Sequence, residues 1–211
     1  MLDIVLATHN AHKVEEFQAL FDTSSLDVRV HRTTGEAPRE TGVTFADNAL
    51  IKARAAAELE GRIALADDSG LAVDVLGGAP GVFSARWAGR LASDETNREL
   101  LLEQLADVPP EHRAASFHCA LALVVPPAFD PEGLGGELVV EGVWPGAIAF
   151  EAAGEFGFGY DPIFIPDGFA IAAAELKPEI KNVHSHRARA FAELAAAMAE
   201  IFGGTSDAGS V

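Results

Sequence analysis

An apolar run, Ile63-Ala64-Leu65-Ala66, passes without a break into Asp67-Asp68-Ser69-Gly70. The run reads as a short buried strand. Two adjacent carboxylates at the end of such a strand are costly unless positive charge gathers there. Either the fold brings cations to this strand end, or the acidic pair turns out to solvent in an Asp-Asp-Ser-Gly turn. Cations are scarce: 15 Lys and Arg stand against 32 Asp and Glu, a formal charge of -17. A surface this acidic repels polyanions, which disfavours broad nucleic-acid binding. A small anionic ligand is compatible with it if the few cations share one site.

The rest of the chain alternates strand and helix patterns. Asp3 to Thr8 reads as a buried strand. Asn10 is placed to cap a helix over residues 11–22, with Val14, Phe17, Leu20 and Phe21 on one stripe. Leu26 to His31 reads as a second strand, followed by a polar stretch to Gly42. Thr44-Phe45-Ala46-Asp47 has capping-box spacing, with Asp for the usual Glu, and opens an alanine-rich helix to about Glu60. Leu71 to Leu76 is expected as another strand and Ser93 to Ala106 as a helix. Ala114 to Val125, Glu137 to Val143 and Ala147 to Phe150 read as strands, and Pro162 to Ile165 as a short extended piece. Ser185 is placed to cap a last helix with its stripe on Phe191, Leu194, Ala195, Met198, Ile201 and Phe202, ended by Gly203. This mixture predicts an α/β fold with a mixed sheet rather than a uniform βαβ array.

At 211 residues and 49% apolar composition, the chain fits one domain with a real core. The small, polar ending predicts a disordered tail over 204–211 after a domain spanning 1–203. The longest apolar stretch, Cys119 to Phe129, is too short to cross a bilayer. Met1-Leu2-Asp3-Ile4 lacks a basic leader pattern, and Cys119 is the single cysteine. A cytoplasmic protein, free of membrane, is the expectation.

Five segments carry candidate chemistry. Thr8-His9-Asn10-Ala11-His12-Lys13 joins a strand to a helix start, where free N–H groups and partial positive charge suit phosphate. An ordinary Asn cap beside a solvated lysine fits it too. Neither common glycine-rich nucleotide loop occurs. Asp67 and Asp68 point opposite ways on a strand, so one suits Mg²⁺ and water and the other a backbone or a lysine. Glu40 lies in a polar loop, and Lys52 either points inward among alanines or snorkels to water. Gly154 to Pro162 alternates glycines with aromatics, so that a base stacks on Phe158 or Tyr160, or the rings plug the core. In Lys181-Asn182-Val183-His184-Ser185-His186-Arg187 three potential cations cluster around a helix start, where cations call for an anion or hydrogen-bonding ligand, unless they are ordinary surface charge.

Read together, these segments resemble the inosine/xanthosine triphosphate pyrophosphatase family. The matching pieces are LATHNAHK at 6–13, ETGVTFADNALIKARAAA at 40–57, ALADDSGLAVDVLGGAPGVFSARWAG at 64–89, FHCALALV at 117–124, FGYDPIFIP at 158–166 and KNVHSHRARA at 181–190. The resemblance implies an elongated, two-lobed mixed sheet flanked by helices with a central cleft, and a homodimer. It implies Mg²⁺-dependent hydrolysis of ITP, dITP and XTP to the monophosphate and pyrophosphate, clearing deaminated purines from the nucleotide pool. By position, Thr8, His9, Asn10, Ala11, His12 and Lys13 would hold the triphosphate. Glu40 and Asp68 would bind Mg²⁺. Asp68 would accept the proton of the attacking water, Lys52 would contact phosphate, and Asp67 would orient Lys52 or the metal shell. Ser69 would touch substrate. Phe158, Gly159, Tyr160 and Asp161 would line the base pocket, and Lys181, His186 and Arg187 would reach the base edge. His9, His12, Ile180 and Ala188 depart from the residues usual in that family.

Overall fold

The computed structural model describes residues 1–9, 11–130 and 132–203. Asn10, expected as a cap and substrate ligand, and the expected tail 204–211 lie outside the described residues, as do the side chains of Ala11 and His12. The regular elements are β1 (Leu2–Leu6), α1 (Ala11–Asp22), β2 (Val28–Arg32), α2 (Phe45–Glu60), β3 (Ile63–Val73), α3 (Asp94–Gln104), β4 (Ala114–Val125), β5 (Gly136–Ile148), β6 (Phe164–Pro166), α4 (Pro178–His184) and α5 (His186–Gly203). Among the described residues the strands form a 6-stranded sheet in the order β2-β1-β3-β4-β5-β6. β1 is parallel to β2 and β3, whereas β6 is antiparallel to β5. This is the mixed α/β architecture expected from the sequence. The chain divides into two compact units, Met1–Asp68 with Ala120–Glu141 and Ala190–Val211, and Ser69–Cys119 with Gly142–Arg189.

In the first unit, β1 and β3 pair in the register Ile4↔Ile63, Val5↔Ala64, Leu6↔Leu65. All of these residues are buried, as strands of a parallel sheet covered on both faces require. Phe17 and Phe21 of α1 are buried, and Phe21 meets Phe191 of α5 edge-on at 4.9 Å. Ala49 and Ala53 of α2 pack with Ala66, Ala120 and Ala122. Thr44 caps α2 by accepting the Asp47 N–H at 3.1 Å, which follows the capping-box spacing. Because β1, β2 and β3 run parallel, their carboxyl ends gather on one edge. Ala7 N–H donates to Leu65 O at 2.8 Å, and Thr33 N–H donates to Leu6 O at 3.0 Å. Open α/β sheets take their ligands at this edge.

The second unit has a larger apolar core, with Leu71, Leu101, Leu105, Phe117, Trp144 and Phe164 among its buried members. Phe117 and Trp144 both meet Phe164 edge-on. Arg113 is buried beside them, and its guanidinium donates to the carbonyl oxygens of Ile148, Leu105, Val108 and Ala149. Burial depresses its pKa, and the carbonyl dipoles offset part of the desolvation that a buried charge suffers.

Three expectations need correction. β3 continues through Asp67-Asp68-Ser69-Gly70 to Val73, and Asp74–Leu76 is a 3₁₀ turn, so neither an acidic turn nor a separate strand over 71–76 exists. β5 is one strand through Pro145 and Gly146, where two were expected. Pro145 interrupts nothing there, because its carbonyl accepts the Asp167 N–H at 2.9 Å and the pairing it flanks starts at Gly146↔Pro166. The piece expected at 162–165 is a 3₁₀ turn over Asp161–Ile163 followed by β6. α4 was not foreseen, although Pro178 at its first turn is a recognised helix-start signal. No helix among the described residues is long and apolar enough to cross a membrane.

Candidate active site

The strand edge of the first unit gathers the scarce cations onto the acidic pair. Lys13 of α1 reaches both oxygens of Asp67, at 2.9 and 2.8 Å. Lys52 of α2 reaches Asp68 Oδ1 at 2.8 Å and Glu40 Oε1 at 3.0 Å. The alternation of side chains along β3 explains the two destinations. Asp67 was expected to orient Lys52 or the metal shell; of these, the Lys52 alternative is corrected, because Asp67 binds Lys13 through both oxygens and acts on Lys52 through charge. Thr8 lies at the β1 edge. His9 is exposed and lines a small pocket shared with Lys52 and Thr33. The first turn of α1 carries no acidic residue, so its positive end is not offset from within.

The electrostatics of this cluster are uneven. Burial lifts Asp68 above the ordinary carboxylate range, Lys52 pulls it back only in part, and Glu40 adds to the rise. A carboxyl held there accepts a proton more readily than a solvated one. Burial would lower the Lys52 ammonium, but Asp68, then Asp67 and Glu40, outweigh it and hold Lys52 above the ordinary lysine value. Among the described contacts, the Asp67, Asp68 and Glu40 carboxylates meet the Lys13 and Lys52 ammoniums. Glu40 and Asp68, converging on one ammonium, are hard oxygen donors of the kind Mg²⁺ takes in ones and twos alongside substrate phosphates. No group of three or more His, Cys, Asp or Glu that could hold a metal occurs among the described residues. Glu40 and Asp68 are thus the residues that could hold such an ion.

Sequence reasoning missed the residue that secures the Glu40 loop. Asn48 of α2 is fully buried, and its Oδ1 accepts the Gly42 N–H at 2.9 Å. A Cβ on Gly42 would lie 2.5 Å from Asp47 Cβ, so only glycine lets the loop approach α2 this closely. Asn48 Nδ2 has no hydrogen-bond partner among the described residues, though its dipole still favours the Asp68 carboxylate. A polar residue in the alanine face of α2 was the available signal.

The second unit carries a cavity with about 140 Å³ of water-accessible space. The residues expected to meet substrate there, Ser69, Phe158, Gly159, Tyr160, Asp161, Lys181, His186 and Arg187, all line it. Asp161 is buried and accepts the Phe158 N–H at 2.8 Å and Lys181 Nζ at 2.5 Å. A Cβ on Gly157, whose φ is +80°, would lie on the Asp161 carboxylate, so glycine is obligatory at that turn. Tyr160 is buried, its hydroxyl donates to Ser84 O at 2.9 Å, and burial raises its pKa strongly. Phe158 is 58% exposed, with Lys181 Nζ 5.7 Å from its ring centre. His186 stacks on Phe117 at 4.9 Å. Ser69 Oγ is buried with no partner among the described residues, which suits a polar ligand atom. Asp94, Asn97, Ser84 and Phe117 also line the cavity and were not anticipated.

Residues 4–197 match the Ham1 family. The chain belongs to the Ham1 family. Relatives at high identity include a dITP/XTP pyrophosphatase of Leifsonia xyli subsp. xyli, 57% identical over 194 residues, covering 92% of this chain and 94% of that protein. A dITP/XTP pyrophosphatase of Streptomyces coelicolor is 48% identical over 210 residues, covering 96% and 100%. Among solved structures, a HAM1 protein from Coxiella burnetii superposes with a TM-score of 0.84 at 44% identity, covering 95% of this chain and all, 100%, of that one. The resemblance drawn from the motifs is thus borne out at the level of the Ham1 family. Across the Ham1 match, which ends at residue 197, lie both the strand-edge cluster and the cavity.

Proposed function

We propose that this chain is a Mg²⁺-dependent nucleoside triphosphate pyrophosphatase that converts dITP, ITP and XTP to the monophosphate and pyrophosphate. The observation that carries the reading is the convergence of Lys13, Lys52, Glu40, Asp67 and Asp68 on one strand edge of an acidic chain. The names of the relatives, dITP/XTP pyrophosphatases, support the substrate class. In this reading the strand-edge cluster takes the triphosphate and the cavity of the second unit takes the base.

Lys13, fixed by Asp67, and the N-terminus of α1 draw the phosphates, and Thr8, His9, Asn10, Ala11 and His12 belong to the same substrate-binding stretch of the chain. Glu40 and Asp68 would hold Mg²⁺, which when bound offsets phosphate charge and acidifies water. Asp68, its carboxyl raised by burial, accepts the proton of the attacking water. The water oxygen bonds to phosphorus, the α–β anhydride bond breaks, and its electron pair leaves with pyrophosphate. Lys52 keeps Asp68 and Glu40 in place, so catalysis rests mainly on positioning and charge neutralisation. Phe158 offers its exposed ring to the base. Lys181, His186 or Arg187 donates to the oxo group at C6, which hypoxanthine and xanthine carry and adenine lacks. A homodimer, a cytoplasmic setting and the clearing of deaminated purines belong to the same reading.

A pyrophosphate-release panel over purine and pyrimidine triphosphates, with and without Mg²⁺, tests it. We expect pyrophosphate from ITP, dITP and XTP, dependent on Mg²⁺. Orthophosphate as the sole product, or equal rates on all bases, overturns it.

A further inference from the structure

The loop that carries Phe158 and Tyr160 is gripped from α3. Arg98 Nη1 donates to Gly159 O at 2.8 Å, and Asp94 Oδ2 accepts the Gly159 N–H at 2.8 Å. Asp94 and Arg98 are four residues apart, on one face of the helix. On that same face Asn97 Oδ1 accepts the Ala88 N–H at 2.7 Å. α3 is itself fixed at its start, where Ser93 and Thr96 form a reciprocal cap. Gly159 is thus held on both its N–H and its C=O by one helical turn, between the exposed ring of Phe158 and the buried ring of Tyr160. Phe158 is secured through its backbone, by Asp161 on its own N–H and by α3 on the residue that follows. A ring that is 58% exposed keeps more of its stacking energy when the backbone that carries it is held in advance, because ordering on binding costs free energy.

We propose that Asp94 and Arg98 are positioning residues for base recognition: through the Gly159 peptide they set the plane of Phe158 and the depth of the base site. The inference rests on the proposed role of the cavity as the base site. Neither residue belongs to the phosphate cluster, so their loss should be read in base-dependent quantities and spare base-independent ones.

The test compares wild type with Arg98→Ala, Asp94→Ala and the conservative Asp94→Asn, whose amide oxygen can still accept the Gly159 N–H. Steady-state kinetics with dITP, XTP and dGTP would be read beside inhibition by inorganic pyrophosphate and binding of IMP by calorimetry. Loss of one hydrogen bond to the loop predicts a KM for dITP about tenfold higher in each alanine variant, with a much smaller fall in kcat. IMP affinity should weaken in parallel, the preference for dITP over dGTP should narrow, pyrophosphate inhibition should hold, and Asp94→Asn should recover most of the loss. Unmoved KM and IMP affinity overturn the inference, as does a loss of pyrophosphate affinity equal to that of IMP. If wild type binds IMP but releases no pyrophosphate from any purine triphosphate, the proposed function fails, and the IMP affinities of the variants still decide the positioning role. If wild type binds no purine nucleotide, both fail.

Discussion

The strand edge of the first unit and the cavity of the second solve opposite problems. At the strand edge, charges hold charges: Lys13 on Asp67, and Lys52 on Asp68 and Glu40. Around the cavity the backbone is held by side chains, with Asp161, Asp94 and Arg98 fixing successive peptide groups of one loop. Ion pairs can exchange partners when a polyphosphate and a metal arrive, so the first region suits ligands that bring charge. A pinned loop keeps its shape whatever the charge, so the second suits discrimination among flat rings. Under the proposed function, chemistry falls to the first region and selection to the second.

Asp68→Asn is the largest way to break that assignment. Turnover should fall about 10³-fold, the range a positioned general base supplies, while IMP binding by calorimetry stays near wild type. A comparable loss of IMP affinity would falsify the separation of roles. Next in size is Arg113→Met, which removes the guanidinium from the carbonyl oxygens of Leu105, Val108, Ile148 and Ala149, where the Leu105 oxygen keeps the Val108 N–H. We expect about 3 kcal/mol less stability in urea unfolding, since each buried acceptor left unmade is costly. A change below about 1 kcal/mol would show that this core does not depend on the guanidinium. Phe158→Ala sharpens the contrast from the other side: nucleotide affinity should weaken by about tenfold or more, the scale of one base–aromatic stack, with pyrophosphate affinity spared. Equal loss of both would remove stacking at Phe158.

How far each region was legible follows from the range of the interactions that build it. The strand-edge residues announce themselves locally, because two carboxylates ending an apolar strand and a lysine opening a helix are each incongruous without a partner. Which lysine goes to which aspartate was not legible. Strand alternation says that Asp67 and Asp68 diverge, but only the placement of α1 and α2 decides that Lys13 takes Asp67. The loop over residues 154–162 was visible through its glycines and aromatics. Its support was hidden, because Asp94 and Arg98 look like the surface charges of any helix and lie far from Gly159 in sequence. Asn48 is intermediate: its burial could be guessed from the alanines around it, its hold on Gly42 could not. The same locality explains the strand errors. Pro145 and Asp67-Asp68 both look like interruptions along the chain, and only cross-strand partners show that the strands continue.

The smallest expected effect concerns the loop that brings Glu40 to the strand edge. Glu60, at the end of α2, accepts the Thr34 N–H and hydroxyl at 2.8 Å each, and the Thr33 hydroxyl at 3.3 Å. The Thr34 N–H, then its hydroxyl, hold the Glu60 carboxyl below the ordinary range. A carboxylate depressed in the folded state adds stability above its unfolded pKa, about 4.3, and loses it as pH falls through the lower folded value. Glu60 is only half-buried, so solvent screens the carboxylate and the contribution is small. Urea midpoints measured from neutral pH down to pH values below the unfolded pKa should therefore fall slightly less steeply in Glu60→Gln than in wild type. Hydrogen exchange should locate the difference at the amide of Thr34. Identical slopes, with unchanged exchange at Thr34, would mean that Glu60 does not hold the start of the Glu40 loop, which the Thr33 N–H on Leu6 O already ties to β1. The strand edge would then rest on its ion pairs and on the one grip of Asn48 on the Gly42 peptide, and its contrast with the cavity would sharpen.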